Sequence, residues 1–364
     1  MSRAELARRT ALAPSTITAV VKGLTAEGVV IETSGSTKAR SASRDASRTD
    51  LSLNPRLGLV VGIDFGFRTV RLLVADLTAR ELARVERRLP DHYSAEDGLT
   101  VTHELLDQAL AAAGLAHDDI GAGGVALPGP VNTVEQRVVG SAILPGWYGI
   151  SAHEIAERLE IPVVVENDAN LAALGEHVFG AGQGSRDSIT VKFHSGIGAG
   201  IIVAGELVSG STGGAGEIGH TLVDRRGPLC RCGKRGCLDT YAAVPAALES
   251  MASVHPSLGF SGFIELIQSG DPGAERVARD AAELVGEALA NACLLLAPER
   301  IVLVGAMSRA GDVVLDPIRS VLDRQSIPDH VAVPDVVLGQ LGDRHTAMGA
   351  VALALRHLGW LPES

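Results

Sequence analysis

The sequence predicts an α/β protein that carries a small helical segment at its N-terminus. Two short helical patterns occupy the first 28 residues, and from residue 57 onward apolar strand patterns alternate with helical ones. The length of 364 residues exceeds one ordinary domain and suits two or three. Because 46% of the residues are hydrophobic and only 3% are aromatic, we expect a core of Ala, Val, Leu and Ile.

The N-terminal segment has the features of two helices joined by a turn. In SRAELARRTAL, Ser2 stands three residues before Glu5, which is the spacing of a capping box. In APSTITAVVKGLTAEGVV, Ser15 is the predicted N-cap and Gly28 the predicted stop of the second helix. Apolar residues of that helix recur at helical spacing, namely Ile17, Val20, Val21 and Leu24.

Two short helices around a turn, the second with Ser and Thr near its start, are typical of a helix-turn-helix. Residues 29–32 and 50–53 are predicted to form the strands of a wing around a polar tip. We therefore predict that residues 1–55 bind DNA. The expected contacts lie on the outer face of the second helix and in the wing tip: Ser15, Thr16, Thr18, Lys22, Lys38 and Arg40. A solvated helical hairpin followed by a linker is the alternative.

The charge is unevenly distributed along the chain. Residues 1–50 contain eight Lys and Arg against five Asp and Glu, whereas the whole chain has a net charge of −11. A basic head on an acidic body is typical of a polyanion-binding module, although a difference this small also arises by chance. No apolar run is long enough for a membrane span, and MSRAELARRT lacks the apolar core of a signal peptide, so we expect a cytoplasmic protein.

Strand and helix patterns occur on both sides of residue 182. Before it, LGLVVGIDFG, TVRLLVADL and ARVERRLP predict an antiparallel meander, followed by a helix and the strands GAGGVALPGP and IPVVVENDA. The helix NLAALGEHVFGAG ends this half. After it, SITVKFHSGIGAGIIVAGELV predicts a glycine-bearing hairpin, helices are expected between residues 241 and 297, and RIVLVGAM is a late strand.

Three of the four cysteines lie close together after a histidine. Cys230, Cys232 and Cys237 follow His220 in GHTLVDRRGPLCRCGKRGC. Three thiolates and one imidazole form one of the four-coordinate donor sets of zinc, and four protein ligands leave no open position. The sequence therefore predicts a structural zinc ion, with free thiols on a polar loop as the alternative. Cys293, in NACLLLAP, is predicted to belong to the core.

Acidic residues stand at two positions where a ligand is expected. VVVENDAN places Glu166, Asn167 and Asp168 just beyond a buried strand, where polar side chains of α/β proteins face a ligand crevice. A carboxylate there accepts a proton or a hydrogen bond from a hydroxyl. GGAGEIGH places Glu217 three residues before His220, which is predicted to use its second ring nitrogen toward the ligand. A capped turn with surface carboxylates is the alternative.

Six motifs occur in the order of the ROK family, which groups repressors, open reading frames and sugar kinases: DFGFRT, LPGP, LPGW, VENDAN, GEIGH and CRCGKRGCLD. The resemblance covers residues 57–356, and GEIGH and the cysteine loop are its most specific parts. It implies the actin-like, ribonuclease-H-like fold of two lobes, residues 57–182 and 183–364, with a sugar cleft between them and the last helix packing back on the first lobe. The N-terminal segment, ending in LSLNP, resembles the winged helix-turn-helix head of the family's transcriptional-regulator branch.

The resemblance also implies which residues contact the sugar. They are Gly129, Asn167, Asp168, Glu217, His220 and Asp239. In the family's kinases, Asp168 would be the catalytic base that activates the sugar hydroxyl, and ATP binds beside the sugar. Two positions depart from the kinase pattern, because Ile143 stands where Asn is common and Asp239 where Glu is common. The lost amide and the shorter carboxylate argue against ordinary glucose specificity.

The nucleotide side departs further from the kinases. Their first phosphate loop resembles D-x-G-G-T, whereas here Phe67 replaces the second glycine and Arg68 replaces the threonine. Their second loop resembles G-T-G-x-G-G-G and reads HSGIGAG here, and a strand-Gly-Gly-Gly motif reads VGAM. All three motifs that contact the nucleotide in the kinases are altered, which predicts that binding of ATP and Mg is lost.

These features leave three functions open. The preferred one is a sugar-responsive regulator, a repressor that binds operator DNA as a homodimer or homotetramer, because one helix-turn-helix reads only a half-site. Its effector would be a sugar or a sugar phosphate. The second is an ATP-dependent sugar kinase with an N-terminal extension, which Asp168 favours. The third is a sugar-binding protein with weakened DNA binding. It is favoured because family repressors carry another helix before SRAELARR, and without that helix Leu6, Val20 and Val21 should be exposed.

Overall fold

A computed structural model describes residues 1–34, 49–54, 57–140, 143–325 and 332–361 of the chain. The elements form an N-terminal head with one two-stranded sheet and a body with two five-stranded sheets and a short hairpin. Within the described ranges, no helix combines the length and the apolar character needed to cross a bilayer.

The head consists of two helices and an antiparallel hairpin, named α1 (Arg3–Thr10), α2 (Pro14–Ala26), β1 (Val30–Ser34) and β2 (Thr49–Leu53). Both helices and both strands of the hairpin were predicted, and their bounds shift by only one or two residues. The segment between the strands lies outside the described residues.

The caps of the head helices follow the prediction in one case and depart from it in the other. The side chain of Ser2 accepts a hydrogen bond from the backbone N–H of Glu5 and caps α1 as predicted. The predicted cap Ser15 is wrong, since α2 begins at Pro14 and its N-cap is Ala13. Proline suits the first turn of a helix because its φ is already helical and its missing N–H needs no acceptor.

A small apolar cluster holds the head together. Ile17 and Val21 of α2 pack against Leu51 of β2, and all three are buried. The expectation that Val21 would be exposed is wrong, because the hairpin brings Leu51 over it and leaves 3% of Val21 accessible. Leu6 is likewise half-buried against this cluster, whereas Val20, 49% exposed, does face outward.

The first lobe is built on a mixed sheet with the order β5-β4-β3-β6-β9. Its elements in chain order are β3 (Leu59–Phe65), β4 (Thr69–Asp76), β5 (Glu81–Arg88), α3 (Ala95–Ala113), β6 (Ile120–Leu127), β7 (Val131–Asn132), β8 (Arg137–Val138), α4 (Ala152–Leu159), β9 (Val163–Asn167) and α5 (Asp168–Phe179). Strands β3 to β5 form the predicted meander, and β6 and β9 continue the sheet in parallel. Because α5 starts directly after β9, the polar residues of VENDAN stand at the carboxyl edge of the sheet.

The second lobe repeats this arrangement with the order β12-β11-β10-β13-β14. Its elements are β10 (Ser188–Phe193), β11 (Ile197–Val203), β12 (Glu206–Leu207), α6 (Asp239–Ala242), α7 (Val244–Met251), α8 (Phe260–Gln268), α9 (Pro272–Leu296), β13 (Arg300–Val304), α10 (Asp312–Arg324) and β14 (Asp335–Leu338). The glycine-bearing hairpin is β10 and β11, and β13 and β14 add in parallel. Cys293 of α9 is fully buried, as predicted.

The last helix, α11 (His345–His357), packs on β3, β6 and α5 of the first lobe. Two glycines of the first sheet permit this close approach. A Cβ at Gly62 would lie 2.2 Å from the carbonyl oxygen of Ala347, and one at Gly124 would lie 1.9 Å from that of Ala350. Any larger residue at either position would push the helix away from the sheet.

Candidate functional site

The end of β9 holds its polar residues in a tight hydrogen-bond network. The Asn167 side chain accepts hydrogen bonds from the N–H groups of Ala169 and Asn170, and so caps α5. Its Nδ2 donates to the carbonyl of Gly129 at 2.9 Å. The structure thus brings together two predicted sugar contacts, Asn167 and Gly129, but most of the Asn167 amide is occupied by the fold.

Glu166 connects the end of β9 to the loop that follows β12. Its Oε1 accepts from the N–H of Asn167 at 2.7 Å and from Nδ2 of Asn170 at 3.1 Å. Ser209, in that loop, donates its hydroxyl to Oε2 at 2.9 Å. Burial raises the pKa of Glu166, and these donors oppose the rise only in part. Glu166 therefore ties the two lobes together beneath the site.

A half-buried ion pair that the sequence analysis did not predict joins the lobes beside Asn167. Lys192, in β10, donates from Nζ to Oδ2 of Asp168 across 2.7 Å. Only 14% of the Lys192 side chain and 20% of the Asp168 side chain are exposed. The alternation of side chains along β10 could have predicted that Lys192 leaves the core side of the sheet. Val191 and Phe193 belong to the core on one face of the sheet, so Lys192 points from the opposite face.

The ammonium group of Lys192 remains charged in this environment. Burial lowers the pKa of Lys192, but the carboxylates of Asp168 and Asp64 outweigh burial, and the pKa is raised overall. The residue that the kinases would use as a free base therefore has a permanent cation as its neighbour.

Two further carboxylates approach the same point from the second lobe. Asp239, at the start of α6, accepts a hydrogen bond from the N–H of Ile197 at 2.8 Å and is only 8% exposed. The pKa of Glu217 is raised to about 7 by burial and by the charges of Asp168 and Asp239. Asp168 and Asp239 thus lie close enough to Glu217 for their charges to act on its carboxyl group.

The predicted metal ligands also converge. One donor atom from each of His220, Cys230, Cys232 and Cys237 lies within 4.8 Å of all the others. Sγ of Cys232 is 3.6 Å from Sγ of Cys237. Sulfurs around a tetrahedral zinc ion with bonds of about 2.3 Å lie about 3.8 Å apart, so the spacing and the donor set fit such an ion.

His220 has one ring nitrogen on each side. Nδ1 lies 3.7 Å from Sγ of Cys230, and Nε2 lies 3.7 Å from Oε2 of Glu217. The loop is also fixed to the glycine hairpin, because the Arg231 guanidinium donates to the carbonyl of Ser195 at 2.7 Å. The loop of the His/Cys cluster therefore lies next to Glu217 and to the turn between β10 and β11.

The turn that corresponds to the first phosphate loop of the kinases carries large side chains, which pack against their neighbours. The Phe67 ring packs edge-on against His92, with 5.8 Å between ring centroids. Arg68 lies over the Phe67 ring and forms an ion pair with Asp91. The hydroxyl of Tyr93 donates to the carbonyl of Gly66 at 2.9 Å. This turn is held in place by its own neighbours.

Asp64, the acidic residue of that loop, forms an ion pair with a basic side chain of the same sheet. Nη1 of Arg71 lies 3.4 Å from Oδ2 of Asp64, and Nε of Arg71 lies 3.2 Å from Oε2 of Glu86. Asp64 is 2% exposed. Both carboxylates that stand at the ends of the central strands, Asp64 and Asp168, are thus paired with a basic side chain.

A profile of the ROK family matches residues 60–357. The chain belongs to the ROK family. The two-lobe fold that the motifs predicted is confirmed by this match and by the structures it resembles.

Among characterised relatives, this ROK protein is 30% identical to the DNA-binding transcriptional dual regulator NagC of Escherichia coli, over 98% of the chain and 89% of NagC. It is 27% identical to the xylose repressor of Bacillus spizizenii, over 98% of the chain and 91% of the repressor. The glucokinase of Halalkalibacterium halodurans is 29% identical over 83% of the chain and 94% of the enzyme.

Two solved structures are similar to this ROK protein. A ROK family transcriptional regulator, a homologue of the E. coli MLC protein, superposes with a TM-score of 0.78 and 25% identity, over 99% of this chain and 92% of the regulator. A ROK family glucokinase from Streptomyces griseus, in complex with glucose and AMPPNP, superposes with a TM-score of 0.73 and 32% identity, over 82% of this chain and 100% of the glucokinase.

The predicted DNA contacts of the ROK protein are only partly described. Ser15, Thr16, Thr18 and Lys22 are all exposed on α2. The hydroxyl of Thr18 donates to the carbonyl of Pro14 at 2.8 Å, so its proton is already used within the helix. Lys38 and Arg40 lie outside the described residues.

Proposed function

We propose that this ROK protein is a sugar-responsive transcriptional regulator that represses from operator DNA. One observation carries the proposal: the similarity to NagC and to the xylose repressor extends over 98% of the chain, head included, whereas the glucokinase match covers 83%. A protein whose relatives share its head as well as its body is expected to share the combination of DNA binding and sugar sensing.

The head supplies the DNA-binding part of the proposal. Residues 1–55 act as a winged helix-turn-helix, with Ser15, Thr16, Thr18 and Lys22 on the outer face of α2 and Lys38 and Arg40 in the wing. Because one such head reads a half-site, the active form is a homodimer or homotetramer. Its site of action is the cytoplasm, where operator DNA is accessible.

The space between the lobes binds the effector. Asp168, Glu217, His220 and Asp239 line it, and Asn167 and Gly129 shape its floor. Sugar binding changes the operator affinity only if the two states of the protein bind the sugar differently. Zinc on His220, Cys230, Cys232 and Cys237 is structural in this proposal, because all four positions are filled by protein ligands.

Sugar phosphorylation is the second candidate. Its support is the placement of Asp168 at the carboxyl end of β9 and the 32% identity to the Streptomyces griseus glucokinase. The pairing of Asp168 with Lys192, the pairing of Asp64 with Arg71 and the packed Phe67 turn all oppose it.

An electrophoretic mobility shift tests the regulator. The full chain is mixed with the DNA upstream of its own coding sequence, alone and with D-xylose, N-acetyl-D-glucosamine or D-glucose. We expect a retarded band that one sugar weakens, and a weaker band for Lys22→Ala than for Thr25→Ala, which changes an exposed residue near the far end of α2. The absence of a band at low salt contradicts the proposal.

A coupled ADP assay separates the kinase. Protein, ATP, magnesium and the same sugars are expected to release no ADP above the background of the sugar-free reaction. Sugar-dependent ADP release that Asp168→Asn abolishes would establish the second candidate instead.

A further inference from the structure

The ammonium group of Lys192 has hydrogen-bonding capacity that the fold does not use. An ammonium carries three N–H donors, and Lys192 spends one of them on Oδ2 of Asp168. Among the described residues, neither its other two donors nor Oδ1 of Asp168 has a hydrogen-bond partner. The exposed parts of both side chains therefore present an unused donor and an unused acceptor side by side.

The rest of the effector space is rich in acceptors and poor in donors. Asp168, Glu217 and Asp239 accept hydrogen bonds when ionised and donate none, and His220 offers one donor through Nε2, which lies 3.7 Å from Oε2 of Glu217. The amide of Asn167 is committed to α5 and to Gly129, and Ile143 offers no polar group. A sugar hydroxyl both donates and accepts, so a hydroxyl bound to Asp168 needs a donor that the carboxylates do not supply and that His220, which faces Glu217, does not supply at that position.

We propose that Lys192 is a ligand-binding, specificity-determining residue, which donates to one sugar hydroxyl while Asp168 accepts from the same hydroxyl. The inference rests on the proposed function, since it assigns a residue to the effector site of a sugar sensor. Lys192 replaces the amide donor that Ile143 cannot supply, and it does so from the second lobe. One hydroxyl then contacts both lobes through Asp168 and Lys192.

The charge balance around this pair defines the class of ligand. The charges of Asp168 and Asp239 act on Glu217, and the ammonium group of Lys192 is in contact with Asp168. Two other nearby cations are already bound: Arg71 is held by Asp64 and Glu86, and the guanidinium of Arg231, whose charge acts on Asp239, donates to the carbonyl of Ser195. A phosphate ester at the recognised hydroxyl would place a dianion against this acidic set and remove the donated proton. The effector is therefore a free sugar, unphosphorylated at that hydroxyl.

Isothermal titration calorimetry on the full chain tests both the role of Lys192 and the preference for an unphosphorylated sugar. The probes are D-glucose, D-xylose and N-acetyl-D-glucosamine, the monodeoxy analogues of whichever sugar binds, and the phosphate esters of these sugars, including the ester at the hydroxyl that the analogues identify. We expect the free sugar to bind at least about tenfold more tightly than its ester, and Lys192→Met to lose about tenfold or more in affinity. One monodeoxy analogue should bind the wild type poorly and bind Lys192→Met as well as the intact sugar does. A purely structural role would weaken all ligands of Lys192→Met equally.

Two variants guard against misfolding and general charge effects. The double variant Asp168→Asn with Lys192→Met removes both charges, leaves no unpaired buried carboxylate, and should also bind the sugar weakly. Arg276→Met removes a cation from the exposed ion pair with Asp280 on α9 and should bind normally.

The outcomes separate this inference from the proposed function. If the wild type binds none of the sugars or esters, the sugar-sensing function itself is overturned, and this inference with it. If a sugar binds but Lys192→Met binds it equally well, or if the ester binds more tightly than the free sugar, the inference alone is overturned.

Discussion

His220 approaches Cys230 to 3.7 Å through Nδ1, while its Nε2 lies 3.7 Å from Oε2 of Glu217. A single imidazole thus belongs to the His/Cys cluster and also faces the carboxylate of Glu217. Fixing one ring nitrogen on a metal sets the orientation of the other, because the ring is rigid. Loss of the metal should therefore lower both the affinity for the sugar and the stability of the protein.

Replacing Cys232 by serine should lower metal content, melting temperature and sugar affinity together. Metal analysis of the purified wild type is expected to give about one zinc per chain, since four ligands form one closed site. Cys232 is exposed, so serine fits without a steric clash. Cys293→Ser is the matched control, because Cys293 lies in α9 apart from the cluster, and it should keep its zinc. Unchanged metal content in Cys232→Ser would refute the zinc assignment.

Replacing Glu176 by glutamine should destabilise the body. This fully buried carboxylate accepts hydrogen bonds from the backbone N–H groups of Ala181 at 2.8 Å, Gln340 at 3.0 Å and Leu341 at 3.0 Å. A carboxylate accepts on both oxygens, whereas an amide must turn N–H donors toward at least one of these N–H groups. We expect a loss of about 1–3 kcal/mol in the free energy of unfolding.

Urea denaturation measures this loss. Glu283→Gln, which makes the same change on the exposed face of α9, should stay within about 0.5 kcal/mol of the wild type. Equal stability of the two variants would show that Glu176 does not anchor the segment that leads into α11.

Replacing Gly124 by alanine should loosen α11 from the first sheet. The new Cβ would lie 1.9 Å from the carbonyl oxygen of Ala350, so the helix must move. The expected cost is about 1–3 kcal/mol or more in the free energy of unfolding. Gly214→Ala is the control, since a Cβ there meets nothing within 4 Å. A melting temperature for Gly124→Ala as high as that of Gly214→Ala would contradict the close packing described.

Replacing Val21 by aspartate should abolish DNA binding and leave the body intact. The substitution buries a charge between Ile17 and Leu51, which form the core of the head. Val254→Asp makes the same change at an exposed position of the body, away from the head, and should retain the DNA affinity. Sugar-induced thermal shifts and zinc content are expected to match the wild type in both variants. A lost sugar response in Val21→Asp would mean that the head and body do not fold independently.

Much of the molecule could be predicted from local sequence patterns. The short apolar run in LGLVVGIDFG corresponds to β3, which is buried along its whole length, and the longer apolar stretch in NLAALGEHVFGAG corresponds to α5, because a buried strand needs few residues and a buried helix more. The cysteine spacing placed the metal ligands for a similar reason, since Cys230, Cys232 and Cys237 lie in one short loop whose turns are set locally. The N-cap of α2 was predicted at Ser15 but lies at Ala13, because Pro14 is also favoured in the first turn of a helix.

The sequence by itself determined the strands, the helices, the family motifs and the donor set of the metal site, since each depends on residues that are near one another in the chain. Only the tertiary structure decided that Lys192 meets Asp168, that Leu51 covers Val21, and that Glu176 holds the backbone of Leu341, 165 residues away. Such contacts depend on how sheets and helices pack against one another. A period of two places Lys192 on a face of its strand, but which residue lies opposite that face is fixed only when the two lobes come together.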